Sequence, residues 1–250
     1  MTKRTLLIDG DVVAFEAAAA LEEAIEWETG YYTWHVSFDE VCAAVDRKIE
    51  KYMDKLNADD YKLALTDPYY NFRLDVLPSY KGNRSGGKRP LVLLYVKLWM
   101  ADHRNGVMRK GLEGDDVMGI LATYPAKGER IIVSIDKDMK TIPCTYVRDL
   151  DSDPVEITED YADWWHLTQT LTGDVTDGYA GCPSIGIKRA ADIIQLGSTI
   201  PDNWQAVVAA YAKAGLGEEE ALRQARVARI LRSSDYNFKT KEPILWTPPK

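Results

Sequence analysis

Acidic residues recur at the ends of short apolar runs. Asp9 follows Leu6-Leu7-Ile8, Asp67 follows Leu63-Ala64-Leu65-Thr66, and Asp136 and Asp138 follow Ile131-Ile132-Val133-Ser134-Ile135. Glu113, Asp115 and Asp116 open a helical pattern, and Asp174 and Asp177 lie in the turn-rich stretch 173–181. A single Asp-x-Asp is ordinarily a turn or a helix cap. Several acids gathered in one place are different, because like charges raise each other's pKa values. A fold tolerates such a cluster when cations neutralise it. Oxygen ligands in number, with no His or Cys among them, suit Mg2+, with Mn2+ as a substitute. Two such ions ~4 Å apart would clamp the attacking and leaving oxygens of a phosphodiester.

The elements that must position these acids follow from periodicity. Residues 5–8, 61–66, 106–108, 130–135 and 145–148 read as strands, the fourth richest in β-branched side chains. Residues 14–25, 38–56, 90–103 and 115–123 read as helices between them. Strands alternating with helices predict a parallel α/β sheet, and ligands of such sheets bind past the carboxyl ends of the strands. The pattern changes near residue 155. Stretches 158–171, 187–196, 201–214 and 218–232 read as helices with no strands between them. The expectation is an α/β region over 1–155 and a helical region over 156–250.

Charge is distributed unevenly. The 250 residues carry 31 Lys or Arg and 39 Asp or Glu, a net −8. Between Arg73 and Lys110, nine cations face only Asp75 and Asp102, so that window is +7 and the remainder −15. An acidic protein is a poor general polyanion binder, but one basic island beside an acid cluster suits a polyanion whose phosphate reaches bound metal. Cys42, Cys144 and Cys182 are odd in number and far apart, which excludes a closed disulfide framework and points to a reducing compartment such as the cytoplasm. The three histidines add no zinc spacing, and no organic-cofactor motif occurs. Apolar runs such as 91–96 are too short to span a bilayer, and Asp9 and Asp11 interrupt any signal peptide.

Five motifs now stand in order: Asn71-Phe72-Arg73, Tyr80-Lys81-Gly82-Asn83-Arg84, Glu113-Gly114-Asp115-Asp116, Asp136-Lys137-Asp138 and Gly173-Asp174-Val175-Thr176-Asp177. The sequence resembles the flap endonuclease/5′→3′ exonuclease superfamily, with its PIN-like nuclease core, from Asp9 to about Arg189. Stretches 112–119, 163–179 and 228–246 resemble, more narrowly, the exonucleases of T-odd short-tailed coliphages. The resemblance implies a parallel sheet flanked by helices, with a C-terminal helical region. It implies that Asp9, Asp67, Glu113, Asp115, Asp116 and Asp136 gather around a first Mg2+. Asp138, Asp174 and Asp177 would serve a second, with Asp136 between the two, and some of the nine would hold water rather than metal.

The resemblance also assigns cations. Lys81 and Arg84 match the base of the family's arch, where they would stabilise charge on the scissile phosphate. Arg73, Lys88 and Arg89 would be further DNA contacts, and Tyr80 would either stack on a terminal base or pack as a core aromatic. Only 27 residues separate Arg84 from Leu112. That span, which includes Ser85-Gly86-Gly87, implies a short clamp over about 78–104 rather than a two-helix arch. Ser184-Ile185-Gly186-Ile187-Lys188-Arg189 resembles half of a helix-hairpin-helix element (about 173–196) that grips duplex phosphates and often holds K+. The usual pattern has glycine where Ser184 stands, and serine reaches positive φ less readily. The implied substrates are double-stranded DNA with 5′ ends, 5′ flaps and RNA–DNA hybrids.

Two other readings compete. Leu7-Ile8-Asp9-Gly10-Asp11-Val12-Val13 also fits the nucleophile motif of haloacid-dehalogenase-like phosphohydrolases, with Asp9 attacking phosphorus and Asp11 as acid/base. That reading leaves the motif at 80–84 and the surplus acids unexplained. A catalytically inert DNA-binding module would show gaps in the acid set, and every expected acidic position is filled.

Overall fold

The computed structural model describes residues 3–84 and 87–249. The chain enters on β1 (Arg4–Asp9) and turns at once into α1 (Gly10–Ala20). Asp9 ends the strand and caps the helix, its Oδ1 accepting from Val12 N at 3.0 Å. Only glycine fits at position 10, because a Cβ there would stand 2.7 Å from the Ala64 carbonyl oxygen. A ribbon follows, β2 (Glu23–Glu28) paired antiparallel with β3 (Tyr31–His35), and every residue of both strands is exposed. Then come α2 (Phe38–Lys55), capped by Ser37, and β4 (Asp60–Leu65). Next are α3 (Arg73–Val76), α4 (Leu93–His103), β5 (Gly106–Met108), α5 (Gly114–Thr123), β6 (Glu129–Val133), β7 (Cys144–Val147) and β8 (Val155–Ile157). The remainder is α6 (Glu159–Thr172), α7 (Ile187–Ile193), α8 (Ile200–Lys213), α9 (Glu218–Ala228) and a small ribbon of β9 (Tyr236–Asn237) with β10 (Glu242–Pro243).

The six-stranded sheet runs β5-β4-β1-β6-β7-β8, parallel except for β8. Alternate residues of β1 feed opposite faces. Leu6 and Ile8 pack beneath α1, α2 and α4 with Val13, Val41, Val45, Val96 and Met100, whereas Leu7 joins Leu112, Met118, Ile132 and Met139 on the other face. Ile230, Leu231 and Tyr236 also lie on that second face, so the chain beyond α9 returns to the sheet. The C-terminal helices keep a core of their own around Leu171, Trp204, Tyr211 and Ala225. Register pairs Ile8 with both Leu63 and Val133, which aligns the carboxyl ends of β1, β4 and β6 at one edge.

The sequence expectations meet three corrections. Residues 14–25 are not one helix: α1 stops at Ala20, and the exposed ribbon begins two residues past Leu21. Gly30 at φ +86° makes its turn, and Tyr31-Tyr32-Thr33-Trp34 carry strong β-propensity. The sheet is not wholly parallel, because β8 closes its edge in the opposite sense. The α4 part of the expected clamp is docked on the core through Val96 and Met100, and Ser85 and Gly86 lie outside the described residues.

Candidate active site

A polar chain runs along the sheet edge. Ser134 Oγ donates to Asp9 Oδ2 at 2.8 Å and accepts from Asp136 N at 3.1 Å. Asp136 Oδ1 accepts from Asp138 N at 2.8 Å, and Asp138 Oδ1 accepts from Gln169 Nε2 at 2.7 Å. Asp115 enters from the first turn of α5. Burial pushes the Asp9 carboxyl up to about 6, aided by the charges of Asp11 and Asp136. Burial and the neighbouring Asp9 and Asp136 hold Asp115 well above the ordinary range. Burial and Asp136 raise Asp138 to about 7. Asp136 is thus the charge that acts on all three.

The basic motif faces the same acids. Glu113 accepts from the Tyr80 hydroxyl at 2.9 Å and from Lys81 Nζ, and Arg73 lies 3.1 Å away. Burial alone would raise Glu113, but the Arg73 and Lys81 cations hold it down to about 2. Lys81 titrates above its usual value despite burial, because Glu113 and Asp177 surround it. The loop carrying Asp174 and Asp177 is closed by two glycines back to back. A Cβ on Gly173 would fall 2.4 Å from the Ala180 carbonyl carbon, and one on Gly181 would fall 2.2 Å from Gly173 N. That loop grips the motif: Lys81 N donates to Asp177 O at 2.8 Å, Asn83 Nδ2 to Val175 O at 2.6 Å and Arg84 Nε to Thr176 O at 3.2 Å. Arg84 also pairs with Asp177 Oδ1, whose other oxygen accepts from Tyr80. Lys137 Nζ stands 3.2 Å from Asp174 and keeps its carboxyl low against the effect of burial.

Several expected site residues have other work. Arg73, expected as a DNA contact, is 2% exposed and its guanidinium is turned into the fold. It forms a two-pronged pair with Asp116 at 2.7 and 2.8 Å and donates to the carbonyls of Val227 and Arg229. Asp116 also accepts from Leu231 N and Glu113 N, so both its oxygens are engaged in tying the C-terminal segment to α5. Tyr80, 5% exposed, packs with Tyr179 and Val227 and offers no face to a base. Asp67 stands at the edge, but its oxygens accept from Tyr69 N and Gly111 N at 3.0 and 2.7 Å. Removing one member of a buried ion pair costs ~3–5 kcal/mol. Arg73→Ala and Asp116→Ala are therefore expected to lose about that much unfolding free energy in urea, equally in EDTA and in Mg2+. A loss confined to the Mg2+ titration would make Asp116 a metal ligand after all.

The remaining predicted residues are exposed. Lys88 lies against Glu22 and the Trp34 ring, and Arg89 is on the surface. Ser184 does adopt positive φ, +62°, and Gly186 caps α7. Lys188 and Arg189 follow in its first turn, with Arg189 Nη1 donating to Ser184 O at 3.0 Å.

Among the described residues, no three His, Cys, Asp or Glu side chains converge tightly enough to hold an ion as they stand. The donor set nevertheless fits hard divalent cations. It consists of carboxylates, and burial together with the charge of Asp136 holds Asp9, Asp115 and Asp138 above the ordinary range. Sequence reasoning missed Ser134 and Gln169, which align Asp9, Asp136 and Asp138. Ser134 carried a signal, standing beside the strand-end acids in Val133-Ser134-Ile135-Asp136. Gln169 carried none, because only the packing of α6 brings it there.

The fold and site have counterparts. Residues 4–163 match the family described as 5′-3′ exonuclease, N-terminal resolvase-like domain. The exodeoxyribonuclease of Enterobacteria phage T3 is 34% identical, over 98% of this chain and 93% of that protein. The exonuclease of Escherichia phage T7 is also 34% identical, over 98% and 94%. A bacteriophage T5 5′-exonuclease with bound zinc superposes with a TM-score of 0.67 at 15% identity, covering 90% of this chain and 89% of that one. A T5 flap endonuclease in complex with DNA and metal ions gives 0.66 at 15% identity, with the same coverage. The two T5 structures show the PIN-like fold, and the family match and the phage relatives show membership: the chain belongs to the 5′-3′ exonuclease family.

Proposed function

We propose that the chain is a divalent-metal-dependent nuclease that removes nucleotides from the 5′ ends of duplex DNA, and that also cuts 5′ flaps and the RNA strand of RNA–DNA hybrids. The observation that carries this is the line Asp9–Ser134–Asp136–Asp138 at the sheet edge, facing Lys81 and Arg84 across Glu113 and Asp177. Asp9, Asp115 and Asp136 would hold one Mg2+, and Asp138, Asp174 and Asp177, sharing Asp136, a second. When bound, the cations supply Lewis-acid polarisation of the phosphodiester and neutralise developing charge. Lys81 and Arg84 exchange their carboxylate partners for phosphate oxygens as substrate arrives and stabilise charge on the scissile group. Asp116, Arg73 and Tyr80 hold this arrangement in place. The phosphohydrolase reading requires Asp11 free to move protons, and Asp11 is already paired with Lys97.

Cation binding should follow pH. The native carboxyls of Asp9 and Asp138, near 6 and 7, take up protons that the unfolded chain has already released. Without metal, they destabilise the fold progressively as pH rises from about 4 to 7. Cations require the deprotonated forms, so stabilisation by Mg2+ should be slight at pH 5 and full by pH 8. At a hundredfold excess over Kd, it should reach ~2.7 kcal/mol. Thermal melts with Mg2+ and with EDTA across that range check this, and a shift independent of pH would place the cation elsewhere.

The hairpin should read duplex. Lys188 and Arg189 are exposed on the same turn beyond Asp174 and Asp177. Replacing both by alanine should remove two phosphate contacts and flatten the log K against log salt slope on duplex by about 1.8. Cleavage of a single-stranded 5′ end should change little. Titrations in Ca2+ across salt decide it: an equal loss on both substrates would mean that the hairpin is not the duplex anchor.

A further inference from the structure

The helix α4 carries the apolar stretch Leu93-Leu94-Tyr95-Val96-Lys97-Leu98-Trp99-Met100-Ala101, in which Lys97 is the one charged residue. A lysine in such a stretch ordinarily extends into water. Lys97 does not. Its side chain is 13% exposed, and Nζ lies 2.6 Å from Asp11 Oδ1, in the first turn of α1. The other Asp11 oxygen accepts from Thr66 N at 3.1 Å and from the Thr66 hydroxyl. With its proton committed to Asp11, the hydroxyl oxygen can only accept, and it accepts from Gly114 N at 2.8 Å. Gly114 sits between Glu113 and Asp115, and a Cβ on it would stand 3.1 Å from Asp11 Oδ2. A continuous line of bonds therefore joins α4 to the first turn of α5.

From this geometry we infer that Lys97 and Asp11 are positioning residues for hydrolysis: Lys97 neutralises Asp11 beside Asp9, and through Thr66 and Gly114 N the pair sets the turn that presents Glu113 and Asp115. This rests on the nuclease reading above. A half-buried Asp11 without Lys97 would be an uncompensated charge next to Asp9 and would turn toward other donors, releasing Thr66 and with it Gly114. The Lys97 side chain is 13% exposed with Nζ on Asp11, and that burial distinguishes this role from a surface phosphate contact.

The test is single-turnover cleavage of a 5′-labelled duplex in Mg2+, with duplex affinity measured in Ca2+, on Lys97→Met, Lys97→Arg, Asp11→Asn and the Asp11→Asn/Lys97→Met pair. Lys97→Met should lower the cleavage rate by about tenfold with KM and duplex affinity within about twofold, the signature of a lost orientation rather than lost binding. Lys97→Arg keeps the charge and should restore most of the rate. The double variant should lose no more than the worse single one, because both act through one bond. Melting temperatures show which variants are folded, and Lys97→Gln replaces Lys97→Met if the latter is not. An unchanged rate, a change in KM alone, or losses that multiply would overturn the coupling. A wild-type chain that leaves the duplex intact would instead overturn the nuclease reading itself.

Discussion

An Asp136→Asn chain is expected to bind duplex DNA and leave it uncut. Asp136 is the charge common to both halves of the acid line, acting on Asp9, Asp115 and Asp138 alike. Asparagine keeps the side-chain oxygen that accepts from Asp138 N, so the local turn survives while the charge is lost. The cleavage rate should fall by ~10³-fold or more, beyond the ~10²–10³ typical for a single charge-stabilising group, because on the proposed reading one residue would serve two ions. A second readout separates chemistry from folding. Relieved of a like charge, Asp9 and Asp138 should titrate lower, and the variant should be at least as stable as wild type in EDTA. Single-turnover assays with urea unfolding measure both. A variant that cuts normally, or one that merely unfolds, would contradict the assignment.

Lys81→Ala should lower kcat and kcat/KM together by ~10²–10³-fold while duplex affinity changes little. Lys81 sits between Glu113 and Asp177 and is held to the acid loop by its own backbone N–H. A cation so surrounded by carboxylates contributes little net attraction to a polyanion at a distance. Its charge counts when phosphate reaches the metals and takes the place of Glu113. Arg84→Ala, exposed and paired with Asp177 alone among the acids near it, should show a smaller loss of rate and a larger loss of affinity. Should Lys81→Ala raise KM with kcat intact, Lys81 would be an ordinary phosphate anchor.

The acidic edge of the sheet was legible because strand ends are. Continuous apolar runs place Asp9 at the end of β1 and Asp136 past β6, and a parallel register brings those ends together. Five strands and most helices follow from the same patterning. Long-range pairing left no such trace. Arg73 lies within a basic island, yet it is folded inward by Asp116 and by carbonyls more than 150 residues away. Asp116 reads as one more acid of a Glu-Gly-Asp-Asp motif, and nothing in that motif shows its pairing with Arg73 or with the returning Leu231 N–H. Tyr80 is aromatic beside two cations, which suits stacking on a base as well as it suits the burial it has. The ribbon of β2 and β3 was hidden by the alanine run in α1, whose helix propensity masks the period-2 alternation that starts at Glu23.

The most direct measurement is product analysis on a DNA duplex labelled at one 5′ end, incubated with the wild-type chain in Mg2+ and in EDTA. The account predicts release of the 5′ label in short products that accumulate from the first time point, and no product in EDTA. Cleavage that proceeds equally in EDTA, or that begins at the 3′ end, would contradict it.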